Sequence, residues 1–278
     1  MPDLRAMCFG DLNNVVKVIH AHDEDDGEAA EADYRDAGFE NQYVLEKEGQ
    51  IVGVTGYKEV PSADQCYWLS WTYLQPSHQG QGLGKAMLLE LLDILRSQGA
   101  RKIFVKVSDY EDPEDGKIYQ QALQVYQGLG FVEEVVSDDF YDEGENQIIL
   151  GLYLRDDKDQ LEQDPEVGEE KPIISFDGLF EIAETEGAYT FSWVVKETRK
   201  LFGKRNFSVE DLQIGLQSVQ SEGGRKVFLT FPSNLPLIHS PLQSAGFKYV
   251  GQLQNYYEHG VHEFHFSHDL HNLENTPT

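Results

Sequence analysis

Gln79-Gly80-Gln81-Gly82-Leu83-Gly84-Lys85 is the stretch on which the reading of the fold turns. Tyr67 to Leu74, just before it, is rich in aromatic and β-branched residues and predicts a strand. A strongly apolar helix begins near Leu83. A glycine-dense turn feeding a helix N-terminus is an anion cradle, because a backbone without Cβ atoms lets a phosphate approach closely. The unpaired N–H groups of the first helical turn then point at that phosphate, assisted by the helix dipole. The stretch therefore predicts a site for a pyrophosphate-bearing cofactor.

Working outward, Leu83, Met87, Leu91 and Leu95, with Leu88 and Leu92 beside them, form one broad apolar face, and Gly99 is placed to end that helix. Ile103 to Val107 predicts a short buried strand, parallel to its neighbour. Ile118 to Gly128 predicts a helix closed by Gly128 or Gly130, and Phe131 to Val136 and Ile148 to Leu154 predict two strands joined by an acidic turn. Upstream, Tyr43 to Glu46 and Ile51 to Val60 predict strands around a Glu48-Gly49 turn, forming an antiparallel meander with Tyr67 to Leu74. Leu4 to Cys8 is an apolar start. Gly10-Asp11 then precedes Leu12, Val15, Val16 and Ile19, which predict an amphipathic helix capped at its N-terminus. His20 to Asp36 carries eight acids and one Arg, without an apolar stripe until Tyr34, and reads as a loop or a weak, solvated helix.

Composition narrows the setting. The 278 residues are 40% hydrophobic and 12% aromatic, enough to bury a core in two modest domains. The formal net charge is -27, from 49 acids against 22 bases, which argues against nucleic acid or an anionic membrane as a partner. No apolar run approaches the roughly 18 residues that span a bilayer. Cys8 and Cys66 cannot build a disulfide framework, and Met1 to Gly10 lacks the features of a secretory signal, so a reduced, cytoplasmic setting is expected.

Arg155 to Lys171 carries eight acids and Pro165 and reads as a linker. Beyond it the chain repeats itself. Gly130-Phe131, Tyr141 and Gly144 return 116 residues later as Gly246-Phe247, Tyr257 and Gly260, and Arg101-Lys102-Ile103-Phe104 returns 124 residues later as Arg225-Lys226-Val227-Phe228. The change of offset removes eight residues, corresponding to the acidic loop around Asp109 to Asp115. The predicted organisation is a domain over 1–155, an acidic linker over 156–171 and a second, shortened copy over 172–278.

The order of strand, Gln79-x-x-Gly82-x-Gly84, helix, strand, then a helix with Ala122-x-x-x-Tyr126 followed by Leu129-Gly130-Phe131, resembles the GCN5-related N-acetyltransferase superfamily over most of residues 1–155. A Rossmann unit would place the glycine turn after its first strand, and a Walker loop would need Ser or Thr where Ala86 stands. The resemblance implies the acyl-CoA N-acyltransferase fold, an α/β (α+β) architecture with a mixed, mostly antiparallel central sheet flanked by helices. It implies acetyl-CoA as co-substrate, with the pyrophosphate on Gln79, Gly80, Gln81, Gly82, Leu83, Gly84 and Lys85. It further implies a splayed strand whose backbone N–H near Tyr73 or Leu74 meets the acetyl oxygen, and Tyr126 as the acid that protonates the departing thiolate. A phenol near pKa 10 against a thiol near 8.5 leaves a mismatch of about 2 kcal/mol, which a short hydrogen bond can offset.

The chain departs from the family at Tyr119, where an Asn is frequent, and between Tyr67 and Leu74, which lack the acid that often serves as base. Glu40, Glu59 and Asp64 are near strand ends, and the base is left unassigned. The expected reaction is direct transfer of an acetyl group to a primary amine on a small molecule or peptide. Asp23 to Asp36 and Asp138 to Glu145 would flank the acceptor and draw a cation, or would simply be a solubilising acidic surface. The other reading is a non-catalytic acyl-CoA-binding or interaction module. In the second copy, Leu242 stands at the counterpart of Tyr126 and the counterpart of the glycine turn, Gly203 to Ser208, lacks its spacing, so that copy is expected to be inactive, serving as a cover or a pseudo-dimer interface. A homodimer is also compatible. His259, His262, His265 and His268 have no Cys partner and are assigned no metal.

Overall fold

The computed structural model describes residues 3–111, 119–155, 173–196, 208–235 and 238–270. The acidic stretch 156–171, most of the loop at 109–115 and nearly all of 203–208 lie outside the described residues.

A seven-stranded sheet takes the order β1-β2-β3-β4-β5-β7-β6. It is formed by β1 (Asp3–Ala6), β2 (Gln42–Lys47), β3 (Gln50–Glu59), β4 (Cys66–Leu74), β5 (Lys102–Ser108), β6 (Val132–Asp142) and β7 (Glu145–Tyr153). β1 to β4 pair antiparallel, whereas β4 and β5 pair parallel. Helices α1 (Leu12–His20) and α2 (Glu24–Ala37) cover one face, burying Val15, Ile19, Ala30 and Tyr34 against Val44 and Val54. α3 (Leu83–Ser97) packs Met87 and Leu83 on the other face against Leu45, Val52 and Leu74. α4 (Gln120–Gly128) follows β5. This is the mixed α/β architecture that the sequence predicts.

The structure corrects three local expectations. Asp11 does not cap α1 with its side chain: its buried carboxylate accepts from the Arg5 guanidinium at 2.7 and 3.0 Å and from the Cys8 amide at 2.9 Å. The Arg5 guanidinium holds that carboxyl well below the usual range. The acidic segment after α1 is a 14-residue helix, capped by Asp23, whose carboxylate accepts from the Asp26 amide at 3.0 Å. Acids at Glu24, Asp25 and Asp26 suit the positive end of that helix, and Gly27, Ala30 and Tyr34 supply a narrow buried stripe. Finally, Asp138 to Asp142 belong to β6, so the turn before β7 is only Glu143-Gly144.

The C-terminal sheet has the order β11-β12-β10-β9-β8. Its elements are β8 (Ile173–Glu181), β9 (Ala188–Lys196), α5 (Val209–Ser221), β10 (Lys226–Pro232), α6 (His239–Ser244), β11 (Lys248–Glu258) and β12 (Val261–Asp269). That succession and strand order match β3, β4, α3, β5, α4, β6 and β7. The parallel pairs correspond as well: Cys66, Tyr67 and Trp68 oppose Lys102, Ile103 and Phe104, while Ala188, Tyr189 and Thr190 oppose Lys226, Val227 and Phe228. Asp139 and Asn255, 116 residues apart, both have φ of 50° and accept from the amides of Gly144 and Gly260, at 2.8 and 2.9 Å. Tyr189, Leu212, Leu216, Leu229, Phe247 and Phe266 belong to the core of this half.

By its contacts the chain divides into Met1–Lys106 with Gln120–Val132 and Leu150–Asp159, and Val107–Tyr119 with Glu133–Ile149 and Gln160–Thr278. The second unit thus includes most of β6 and β7. Within it, the Phe140 ring lies 4.9 Å from Phe228, and Arg225 donates to the carbonyl of Phe140 at 3.0 Å.

Gly56, in the middle of β3, is a point of close approach. A Cβ there would stand 2.7 Å from the Asn41 carbonyl oxygen and 2.3 Å from the Gln42 side chain. Gly56→Ala should lose about 2 kcal/mol in denaturant unfolding; an unchanged midpoint would contradict this packing.

Candidate active site

Strand β4 sets the geometry. Among the described residues it pairs with β5 from Cys66 to Trp68 and then runs on to Leu74 paired with β3 alone. The register against β3 also shifts: Tyr73 opposes Val54 and Ser70 opposes Gly56, so Trp71 and Thr72 together stand against Thr55. Such a bulge bends the strand and re-aims its side chains.

Beyond the bulge the ladder alternates. The Gln75 amide donates to the Val52 carbonyl at 2.8 Å, which makes the next pair, Gly53 and Leu74, a non-hydrogen-bonded one, and the pair after it, Val54 and Tyr73, a bonded one. Tyr73 thus spends its backbone groups on β3. Leu74 turns its N–H and C=O away, towards the side from which β5 has parted. One of these groups is engaged: the Leu74 carbonyl accepts from His22 Nε2 at 2.6 Å.

The glycine turn follows directly. Gly80 and Gly82 have φ of 70° and 76°, and a Cβ added to either would meet no protein atom within 4 Å. Gly82 caps α3 without a side-chain hydrogen bond, and the first turn of α3 holds no acid. The amides of Leu83, Gly84 and Lys85 are the first-turn donors, without an intrahelical acceptor, at the positive end of a 15-residue helix. Lys85 is exposed. Lys47 brings a second ammonium to the turn, 3.5 Å from Gln81 Oε1, and Gln81 Nε2 donates to the Ser77 carbonyl at 3.2 Å. Gln79 is exposed, with Nε2 3.5 Å from His22 Nε2.

Tyr126 lies on α4, buried, with its ring edge-on to Phe131 at 5.5 Å between centroids. Burial alone pushes its phenol well above the usual tyrosine value. It keeps its proton at neutral pH, yet it is a weaker acid than the free phenol that the sequence reading assumed.

A cluster that sequence reasoning missed sits at the end of β4. The Tyr73 hydroxyl donates to Asp26 of α2, the His22 ring lies 5.5 Å from that of Tyr73, and Trp71 Nε1 donates to Asp33 at 2.8 Å. Burial, together with Asp23 and Asp25, raises the Asp26 carboxyl despite its hydrogen bond from Tyr73. Reading the segment as a loop or a weak, solvated helix hid these residues, although Asp23 before an Ala-containing run ending at Tyr34 is a helix signal. Glu59 opposes Tyr67 and Asp64 precedes Cys66, both at the end of β4 remote from Leu74, and Glu40 is exposed. Among the described residues no group of His, Cys, Asp and Glu side chains could hold a metal ion, and no helix is long and apolar enough to cross a membrane.

Residues 11–131 match the acetyltransferase (GNAT) family. The chain is 30% identical over 122 residues to N-acetyltransferase 8 of Rattus norvegicus, covering 43% of this chain and 50% of that one. It is also 30% identical over 92 residues to N-acetyltransferase family 8 member 2 of Rattus norvegicus, covering 32% and 37%. The chain thus matches half or less of the length of these curated relatives. A solved GNAT-family structure from Desulfovibrio desulfuricans superposes with a TM-score of 0.50 at 22% identity, covering 56% of this chain and 100% of that one, which shows the shared fold.

If burial governs Tyr126, the native protein should lose no tyrosine proton from this residue up to about pH 10. Subtracting the ultraviolet pH titration of Tyr126→Phe from that of the wild type measures this. A difference step at or below pH 10 would contradict it.

Proposed function

We propose, from the match of residues 11–131 to the acetyltransferase (GNAT) family, that this chain transfers the acetyl group of acetyl-CoA directly to a primary amine. The single observation that carries the reading is the parting of β4 from β5 beside a glycine turn whose added Cβ atoms would meet nothing. Acetyl-CoA would supply an activated thioester. Gln79 to Lys85 fit its pyrophosphate, through the first-turn amides of α3 with Lys85 and Lys47 as counter-charges. The Leu74 amide, turned from β3, is available to the pantetheine arm or to the acetyl oxygen, where a fixed donor stabilises developing negative charge. Tyr126 is assigned as the proton donor to the thiolate. Its raised phenol requires that the sulfur's negative charge develop against it, since the proton transfer is otherwise uphill.

The acceptor is assigned as a small-molecule or peptide amine carrying positive charge, because Asp23, Glu24, Asp25 and Asp26 crowd the first turn of α2 beside the end of β4. The C-terminal half is assigned as a degenerate copy. Two differences support this: Leu242, buried on α6, stands where Tyr126 stands on α4, and the Trp193 indole donates to the Thr230 carbonyl at 3.0 Å, bridging β9 to β10 beyond their paired stretch. The bulge also moves, since Asp177 on β8 is the extra residue there and β9 keeps its alternation. A cytoplasmic setting fits two free cysteines, Cys8 exposed and Cys66 buried.

The raised Tyr126 phenol favours one alternative, a non-catalytic acyl-CoA-binding module, and thiol release from acetyl-CoA across an amine panel separates the two. Gly82→Trp should weaken acetyl-CoA binding in calorimetric titration by at least about tenfold; affinity equal to the wild type would remove the cradle assignment. Tyr126→Phe should keep that affinity and lower turnover by roughly 100-fold, and near-normal turnover would remove the acid role.

A further inference from the structure

α2 presents two carboxylates two turns apart, Asp26 and Asp33, and each bonds a side chain of the last stretch of β4. Their surroundings differ. Asp33 accepts from the Lys58 ammonium at 2.6 and 2.8 Å as well as from the Trp71 indole, so its charge is matched. Asp26 has no lysine or arginine among the described residues. Its titratable neighbours are Tyr73, which donates to Oδ2, the like-charged Asp23 and Asp25, and His22. It is half-buried, therefore reachable, and Oδ1 has no hydrogen-bond partner among the described residues.

The position is specific. Tyr73 immediately precedes Leu74, the residue whose amide turns from β3, so Asp26 is tied to the strand one residue from the exposed backbone. Glu59 and Asp64 lie at the other end of β4. Because the Leu74 carbonyl can only accept, His22 carries its proton on Nε2, and its remaining basic atom is Nδ1.

We propose that Asp26 is the base that takes a proton from the acceptor's ammonium, with the Tyr73 hydroxyl orienting the carboxylate; the assignment rests on the acetyltransferase reading of this site. The ammonium gives one proton to Asp26 and becomes a free amine. The amine nitrogen then bonds to the thioester carbon, the C–S bond breaks with its electron pair going to sulfur, and the second nitrogen proton leaves as sulfur gains one. Asp26 returns its proton to water. Asp23 and Asp25 favour the step twice over, by attracting the cation and by strengthening the hold of Asp26 on the proton.

The test compares two amines of nearly the same size. Ethylamine is protonated at neutral pH, as a lysine with pKa about 10.4 would be, whereas the fluorines of trifluoroethylamine leave it largely neutral and in no need of a base. Thiol release is followed at saturating acetyl-CoA for wild type, Asp26→Asn, Asp26→Glu and His22→Asn. Asp26→Asn should lower kcat/KM for ethylamine by roughly 100-fold and for trifluoroethylamine by less than about threefold, with unchanged acetyl-CoA affinity. Asp26→Glu should recover part of the ethylamine rate. Equal losses with both amines would make Asp26 a structural pin and overturn the assignment while leaving the acetyltransferase reading intact. An amine-selective loss in His22→Asn but not in Asp26→Asn would move the role to His22. No thiol release by the wild type with either amine would remove the reading and the assignment together.

Discussion

The site depends on one backbone constraint, that β4 leaves β5 after Trp68 while staying with β3 to Leu74. A buried strand edge with unpaired N–H and C=O groups is costly, so these groups need partners. Here the Leu74 carbonyl takes one from His22, and the Leu74 amide points away from β3. The bulge at Trp71-Thr72 and the glycine turn are both consequences in space of this departure: one re-aims the strand's side chains, the other turns the chain into α3.

The acidic helix α2 then acquires a structural reason. On its own it is a poor helix, crowded with like charges in its first turn. Against β4 it is held by the bonds of Asp26 to Tyr73 and of Asp33 to Trp71 and Lys58, and by burial of Ala30 and Tyr34. Acidity there is therefore not only a solvated face. It sits against the last residues of β4, while Lys47 lies beside the glycine turn and Lys85 is exposed in the first turn of α3.

Much of the fold was legible in local patterns. The positions of α3, β3, β4 and β5 follow from apolar period, β-branched runs and glycine stops, and Glu48-Gly49 is the turn the sequence predicts, both residues having positive φ. The recurring residues at Arg101 and Arg225 and at the Gly-Phe corners make like backbone bonds: the amides of Arg101 and Arg225 donate to Gln65 and Gly187 at 2.9 and 2.8 Å, and those of Phe131 and Phe247 to Tyr126 and Leu242 at 3.1 and 3.0 Å. What misled was charge. A run of acids reads as solvent-facing, and nothing local distinguishes Asp26 and Asp33, which bond β4, from Asp25 and Asp36, which are exposed.

The sequence by itself determined the glycine turn, the helix behind it and the tyrosine on α4, since each rests on contacts between residues close along the chain. Only the tertiary structure decided which backbone group of β4 is free, how far Tyr126 is removed from water, and that Asp26 reaches Tyr73 across 47 positions of sequence. These are properties of strand register and of burial between layers, which arise when distant segments pack and leave no local mark in the order of residues.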